Sequence, residues 1–331
     1  MRAAVLEDRR RFVIREVPDP VLDKDEGMIR VQYCGICGSD FHIFKEGADI
    51  GAGHEFSGDI AEIGSDVEGW AVGDRVVVGP STMCGVCFWC RRGEIELCEQ
   101  SDEEMLEYKG AFATYAKAKY TRLHKFSDDL SYEQAALVEP TSCALHAIRK
   151  SRMEEGDVVA VLGLGPIGQL VARVAKALGA KAVYAAEISP SRIELARGVV
   201  DEIIDANATN PVDRILELTH GMGPDIVIEC AGSVSTTQQS IALVRKGGTI
   251  VIAGLCFYWV EIPVSNVLLR ELTIKGSLAH SVADYASALE LIKERKIDVS
   301  PLVTCKMPLD DINEAFEKGL RAEGGKILIK P

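Results

Sequence analysis

Residues 157–180 read DVVAVLGLGPIGQLVARVAKALGA, an apolar run followed by a glycine-rich turn and a longer amphipathic stretch. Beyond the turn, apolar residues recur at three- and four-residue intervals, at Ile167, Leu170, Val171, Val174 and Leu178. This spacing predicts a helix, with Pro166 near its first turn and Gly179 past its end. A strand that leads through a tight turn into such a helix is half of a βαβ unit, so this part of the chain is expected to hold a parallel sheet.

Five more short apolar runs follow, separated by helical stretches, at residues 181–188, 201–206, 224–232, 248–255 and 272–278. Strands this continuously apolar are typical of a parallel sheet that is covered by helices on both faces. Six of them predict a doubly wound α/β fold, which we place at residues 147–282.

The first 146 residues have a different pattern, with short β-prone runs such as MIRVQYC and FSGDIAEIG between Gly- and Asp-rich turns. They predict an irregular antiparallel β domain. The tail, residues 283–331, contains one amphipathic helix and the closing run GGKILIKP, and we expect it to complete this first domain.

Composition limits the function classes. A chain of 331 residues suggests two domains, and a net charge of −13 argues against a general nucleic-acid binder. The N-terminus lacks the apolar core of a signal peptide, and the longest uncharged run, residues 158–172, is too short to span a bilayer, so we expect a cytoplasmic protein without membrane contact. In that compartment ten cysteines are better explained as metal ligands, catalytic groups or buried residues than as disulfides. The acidic stretch at residues 101–110 is expected to be a solvated loop.

The turn GLGPIG follows a strand, opens a helix and has an acidic residue, Glu187, nineteen positions beyond its last glycine. This context indicates a dinucleotide site, because small residues let the backbone approach a pyrophosphate at the helix N-terminus. Glu187 would accept hydrogen bonds from ribose hydroxyls and repel a 2′-phosphate, which favours NAD over NADP. Arg192 could instead hold that phosphate, pack on the adenine or remain solvated. The expected cofactor-binding residues are Gly163, Gly165, Pro166, Ile167, Gly168, Glu187 and Arg192.

Four cysteines form a C-x2-C-x2-C-x7-C array, at Cys84, Cys87, Cys90 and Cys98. Two-residue gaps let one loop turn three thiolates toward a common centre, as a structural zinc site requires. An iron–sulfur cluster is the alternative, since it also uses closely spaced cysteines.

Three further motifs, CGSDFH (37–42), GHEFSG (53–58) and EPTSCALHA (139–147), together offer mixed sulfur, nitrogen and oxygen donors. Such a set is typical of a catalytic zinc that keeps one position open. Cys34 precedes Cys37 by three residues, but we assign it no chemistry. Cys143 lies near Glu139 in the sequence and could reach the active site, although packing in its helix is the simpler reading. Four other histidines receive no role: His124, His146, His220 and His280.

With the glycine turn and the four-cysteine lobe, these motifs resemble the zinc-dependent medium-chain alcohol and polyol dehydrogenases along essentially the whole chain, most closely the sorbitol, threonine and butanediol enzymes. The resemblance implies a GroES-like irregular β catalytic domain beside a Rossmann domain, with two zinc ions per chain, one catalytic and one structural. It implies that Cys37 and His54 bind the catalytic zinc, and that Glu55 and Glu139 compete to supply a further ligand or hold a water. Ser39 and His42 would relay a proton to solvent, although a turn residue and a surface histidine are the simpler readings of them.

Zinc lowers the pKa of a bound hydroxyl, so the family's reaction is reversible oxidation of a secondary alcohol to a ketone with hydride transfer to NAD. Relatives form dimers or tetramers, so the resemblance also implies a homo-oligomer. The segment at residues 43–53 is shorter than its counterpart in those relatives, and this leaves room for a bulkier cyclic or hydroxyacyl-thioester substrate. A protein of another class, a non-catalytic dinucleotide sensor, is disfavoured by the complete set of motif residues. The aromatic segment at residues 256–262 could contact the nicotinamide, a neighbouring subunit or its own domain.

Overall fold

The computed structural model describes residues 1–47, 52–79, 83–100 and 110–331. Its strands are β1 (Arg2–Asp8), β2 (Arg11–Glu16), β3 (Glu26–Gly35), β4 (Glu55–Ile63), β5 (Arg75–Val78), β6 (Tyr115–Lys119), β7 (Leu123–Lys125), β8 (Val158–Leu162), β9 (Ala182–Glu187), β10 (Glu202–Asp205), β11 (Ile226–Glu229), β12 (Thr249–Ile252), β13 (Thr273–Gly276), β14 (Val303–Pro308) and β15 (Lys326–Lys330).

The α-helices of the described residues are α1 (Gly38–Glu46), α2 (Phe88–Arg91), α3 (Tyr132–Ala135), α4 (Val138–Ser151), α5 (Pro166–Ala177), α6 (Pro190–Leu195), α7 (Pro211–Leu218), α8 (Val234–Leu243), α9 (Val264–Leu269), α10 (Val282–Lys293) and α11 (Ile312–Leu320). Short 3₁₀ turns lie at Ile95–Leu97, Tyr120–Arg122, Ser300–Leu302 and Leu309–Asp311. None of these helices is long and apolar enough to cross a membrane.

Six parallel strands form the nucleotide-binding sheet, in the order β10-β9-β8-β11-β12-β13. This is the doubly wound arrangement predicted from the six apolar runs, with the strand order reversing next to β8. Helix α5 packs its fully buried side chains against this sheet, and each of Leu170, Val171 and Val174 contributes about 1.5–3 kcal/mol by burial.

The second large sheet has the order β14-β15-β3-β4-β5-β7, and β6 also pairs with β3. Its core strands are antiparallel, whereas the two tail strands β14 and β15 pair with each other in parallel. Because β15 lies beside β3, the C-terminal tail is part of the sheet built by the first domain. Strands β1 and β2 form a separate hairpin. The acidic stretch at 101–109 lies outside the described residues.

Helix α4 joins the two sheets. It packs against α5 and α10 and also contacts β4 and β12, so it runs through the predicted boundary at residue 146. The boundaries at 146/147 and 282/283 stay predictions, but α4 contacts strands of both sheets.

Candidate active site and cofactor-binding edge

Cys37 lies between β3 and α1, where it is the N-cap of the helix. The carboxylate of the fully buried Asp40 accepts hydrogen bonds from the backbone N–H of Cys37 at 2.8 Å and from that of Gly53 at 3.1 Å. Since Gly53 directly precedes His54, Asp40 holds together two motifs that are separated in the sequence.

The ligand atoms of Cys37, His54 and Glu55 lie within 4.8 Å of one another. Glu55 begins β4 and is paired in register with Gly35 of β3, where an added Cβ would come 2.4 Å from the Glu55 carboxylate. The glycine therefore leaves room for this side chain over the sheet. One thiol, one imidazole and one carboxylate are a donor set that fits a catalytic zinc with an open fourth position.

Glu55 also forms a buried ion pair. Lys326 of β15 donates to the Glu55 carboxylate at 2.5 and 2.7 Å and to the carbonyl oxygen of Ile36 at 3.1 Å. Burial raises the pKa of Glu55, and the positive charge of Lys326 opposes this rise. Sequence reasoning gave Lys326 no role, because a lysine in a closing strand has no motif.

His54 keeps 40% of its side chain accessible although protein surrounds it, as for a group lining a cleft. Burial alone would lower the pKa of His54, but the neighbouring Cys37, Asp40 and Glu139 outweigh it and raise the pKa well above its usual value. The groups around His54 therefore create a negative electrostatic potential, which favours a bound cation.

Glu139 belongs to an adjacent group rather than to the Cys37 set. Its ligand oxygen lies within 4.8 Å of those of Cys143 and His280. The Cys143 thiol is 3.5 Å from Oε1 of Glu139, and Nε2 of His280 is 3.6 Å from the same oxygen. Burial would raise the pKa of Glu139, but the polar contact with His280 and the charges of His54 and Lys326 lower it to about 2, so the group is a carboxylate at neutral pH. Cys143 thus reaches this site, the alternative that its position near Glu139 in the sequence had left open beside helix packing.

Ser39 and His42 lie three residues apart on α1, and such pairs share one face of a helix. The His42 ring packs edge to face against Phe257, with 4.9 Å between ring centroids. Phe257 follows β12, so the aromatic segment reaches the metal-site domain. Segments that follow β12 and β13 therefore border the site, at the carboxyl edge where doubly wound sheets bind ligands.

The glycine turn has the close contacts that its sequence predicts. Gly163 has a φ of 94°, and an added Cβ there would lie 2.8 Å from the Ala231 side chain. At Gly168 an added Cβ would come 1.9 Å from the carbonyl oxygen of Gly163. Gly165 is the N-cap of α5 and Pro166 its first residue, with Ile167 following, so the turn presents backbone N–H groups at a helix N-terminus.

Glu187 ends β9 beside this turn and is buried. Its carboxylate accepts hydrogen bonds from the backbone N–H groups of Leu164, Ile188 and Ser189 at 2.7–2.9 Å. The guanidinium of Arg192 lies 3.6 Å from the position of a Cβ on Gly165. Both side chains are therefore at the turn, and a cofactor would meet both.

The thiols of Cys84, Cys87, Cys90 and Cys98 also lie within 4.8 Å of one another. The sulfur atoms of Cys84 and Cys90 are 3.9 Å apart, close to the roughly 3.8 Å that a tetrahedral zinc with 2.3 Å bonds requires. A backbone N–H from Cys90 lowers the pKa of Cys87 to about 6, which favours a thiolate. Four sulfurs this close fit one ion better than a cluster that spreads its ligands over several irons. All ten cysteines of the chain are described, and all are free thiols.

Two residues of the site escaped sequence reasoning, His280 and Lys326. His280 follows the last strand of the parallel sheet, and its position at a carboxyl edge was a usable signal. Lys326 had no such signal, because its partner Glu55 lies 271 residues away in the sequence.

Comparison with known proteins agrees with this architecture. Residues 23–128 match the alcohol dehydrogenase GroES-like domain, and residues 166–294 match the zinc-binding dehydrogenase family. A sorbitol dehydrogenase from Halalkalibacterium halodurans is 35% identical over 329 residues, which cover 97% of this chain and 96% of the relative. An (R,R)-butanediol dehydrogenase from Bacillus subtilis is 35% identical over 350 residues, with 100% of both chains covered.

A solved structure from Sinorhizobium meliloti, assigned as a zinc-binding dehydrogenase and bound to NADP, superposes with a TM-score of 0.93 at 30% identity. The superposition covers 100% of this chain and 99% of the Sinorhizobium meliloti chain. The resemblance drawn from the motifs is therefore confirmed, as is the pairing of a GroES-like domain with a Rossmann sheet. This chain is an oxidoreductase acting on CH–OH donors and belongs to the zinc-dependent medium-chain polyol dehydrogenase family.

Proposed function

We propose that the protein reversibly oxidises a secondary alcohol group of a polyol or diol to a ketone, with NAD as the hydride acceptor. The observation that carries this proposal is the mutual approach of Cys37, His54 and Glu55 within 4.8 Å, beside the carboxyl edge of the nucleotide-binding sheet. The sorbitol and butanediol enzymes among its relatives support the polyol and diol substrate class.

Cys37, His54 and Glu55 hold the catalytic zinc in this proposal. When bound, zinc lowers the pKa of a substrate hydroxyl toward neutrality. Glu139, which is not in the three-residue set, lies next to it and accepts a hydrogen bond from the substrate hydroxyl. Ser39 and His42 pass the released proton toward solvent, since a hydroxyl both donates and accepts and an imidazole can take up a proton on one nitrogen and release one from the other.

NAD is the proposed cofactor because the Glu187 carboxylate, at the end of β9 beside the glycine turn, would repel a 2′-phosphate. Arg192 is the opposing feature, since its guanidinium lies over the same turn and the NADP-bound relative shows that the fold accommodates the phosphate. Under this proposal Glu187→Ala lowers the kcat/KM ratio of NAD to NADP by at least tenfold. A wild-type enzyme that prefers NADP contradicts it.

Cys84, Cys87, Cys90 and Cys98 hold a second, structural zinc, since four cysteine ligands leave no position for substrate. The ten free thiols support a reducing compartment, which we propose is the cytoplasm.

A homo-oligomer is proposed from one exposed surface. Strand β13 is the edge of its sheet among the described residues, and exposed apolar side chains lie in it and in the segments next to it in the chain. We define the apolar edge patch as Trp259, Val264, Leu268, Leu269, Ile274 and Leu278, which are 40–99% exposed. An open strand edge bordered by apolar side chains is suited to a second copy of the chain, as a homodimer or as one interface of a homotetramer.

The test is a screen of NAD reduction with polyols, diols, cyclitols, hydroxy amino acids and hydroxyacyl thioesters, together with zinc content. We expect polyols or diols to be turned over and about two zinc ions per chain. Preference for a cyclitol or thioester would support the bulkier pocket inferred from the shortened 43–53 segment, of which residues 48–51 lie outside the described residues. No turnover by a protein that binds zinc and NAD would support the sensor class.

Two cysteines provide a matched pair for the same test. Cys37→Ala should abolish turnover while leaving NAD binding intact. Cys34→Ala should keep most activity, because Cys34 is fully buried in the apolar core and burial raises its pKa well above the ordinary value. Equal losses in both variants would contradict the assignment of Cys37.

A further inference from the structure

His280 is a fully buried histidine in the connection between β13 and α10, and no sequence motif includes it. The residue before it, Ala279, has a φ of 46°. A non-glycine residue in this left-handed region costs about 1 kcal/mol or more, so the rest of the structure holds the connection in place.

The two ring nitrogens of His280 have different polar contacts. Nδ1 lies 3.1 Å from the backbone carbonyl oxygen of Ser281, which can only accept, so both ring nitrogens face acceptor oxygens and both can donate only in the imidazolium form. Nε2 has no hydrogen-bond partner within the described part of the chain, yet it lies 3.6 Å from Oε1 of Glu139. A buried polar atom left 3.6 Å from a carboxylate needs only a shift of about 0.6 Å to form a hydrogen bond.

The imidazole ring is fixed by aromatic packing. It stacks on Tyr285 with 5.2 Å between centroids and an interplanar angle of 29°. The Tyr285 hydroxyl donates to the carbonyl oxygen of Val78 in β5, at 2.9 Å. His280 therefore comes from the nucleotide-binding side, while the ring that orients it is anchored to the other sheet.

We propose that His280 is a positioning residue for the alcohol oxidation: it fixes the carboxylate of Glu139 beside the three metal-binding side chains. This rests on the proposed function, in which Glu139 accepts a hydrogen bond from the substrate hydroxyl. Without His280, the side-chain donor left to Oε1 among the described residues is the weak thiol of Cys143, and the carboxylate could rotate away from the substrate. Removal of comparable supporting hydrogen bonds costs about 10- to 100-fold in activity.

Three variants test this inference. His280→Leu removes the nitrogen, His280→Gln restores a donor of similar reach, and His124→Leu is the control for packing. His124, in β7, packs against the same Tyr285 ring with 4.8 Å between centroids and an interplanar angle of 42°, and it is not part of the group formed by Glu139, Cys143 and His280. We expect His280→Leu to lower kcat about 10- to 100-fold with little change in KM, zinc content or NAD affinity. His280→Gln should recover most of the loss, and His124→Leu should keep kcat.

A double-mutant comparison shows whether His280 acts through Glu139. In the Glu139→Gln background, adding His280→Leu should lower kcat by less than twofold, and the shifts in thermal midpoint of the two changes should be non-additive. Three outcomes would overturn the proposal. They are a wild-type kcat in His280→Leu, a loss of kcat that is explained by lost zinc or NAD binding, and equal losses of kcat in both backgrounds. Failure of the proposed function would instead appear in the unmodified enzyme as absence of NAD-linked turnover, and the non-additive thermal shifts would still be measurable.

Discussion

At the scale of single residues, the pair of Glu55 and Lys326 has the largest energetic consequences. Their side chains are 1% and 3% exposed, so both charges have lost their water and depend on each other. Such a pair adds little net stability compared with apolar residues, but removing one partner leaves an uncompensated buried charge. If Glu55 also binds zinc, the metal offers it a second source of positive charge.

Lys326→Met is therefore expected to destabilise the metal-free protein by about 3–5 kcal/mol and the zinc-loaded protein by less. Chemical unfolding with and without a chelator measures both values. Lys330→Met is the matched control, since Lys330 is the exposed last residue of the same strand. An equal effect of Lys326→Met in both forms would argue against Glu55 as a zinc ligand.

At the scale of elements, the N-terminus of α10 is tied to α4 by one buried carboxylate. Asp284 accepts hydrogen bonds from the Ser281 hydroxyl and the Arg149 guanidinium, both at 2.6 Å, and from the backbone N–H of Ser281 at 3.0 Å. It also lies 2.7 Å from Nδ1 of His146. Burial alone would raise the pKa of Asp284, but these contacts hold it well below the ordinary value. The carboxylate thus stabilises the fold only when it is ionised, and it orients the helix that carries Glu139.

The pH dependence follows from that lowered pKa. The stabilisation by Asp284 is complete above its unfolded pKa of about 3.9 and is lost as the pH falls toward the folded pKa. Asp284→Asn should lower the free energy of unfolding at pH 7 by about 2–4 kcal/mol, and the difference from wild type should narrow below about pH 4. Urea titrations at pH 7, 5 and 3.5 measure this, with Asp213→Asn, an exposed first-turn residue of α7, as the control. A difference that does not change with pH would contradict it.

At the scale of the whole molecule, the apolar edge patch separates a monomer from an assembly. Leu268 and Leu269 are 74% and 77% exposed at the end of α9. Neighbouring apolar side chains on an open sheet edge would be costly in a monomer and favourable between two copies.

We expect the purified protein to sediment as a dimer or tetramer, and Leu268→Arg combined with Leu269→Arg to shift it to a smaller species. Analytical ultracentrifugation measures this. Met222→Arg is the control, because Met222 is 70% exposed in the loop after α7, outside the patch. A wild-type monomer at micromolar concentration would contradict the proposed oligomer.

The sequence by itself determined the doubly wound sheet, the glycine turn and the four-cysteine array. These depend on residues close in the chain, where periodicity and spacing directly restrict the geometry. The motif set of Cys37, His54, Glu55 and Glu139 was also found from sequence, with its two glutamates left as equals. Only the tertiary structure separated those two, placing Glu55 with the thiol and imidazole and Glu139 with Cys143 and His280. It alone also brought in Lys326, since a contact across 271 residues depends on how β15 returns to β3 and leaves no local pattern in the chain.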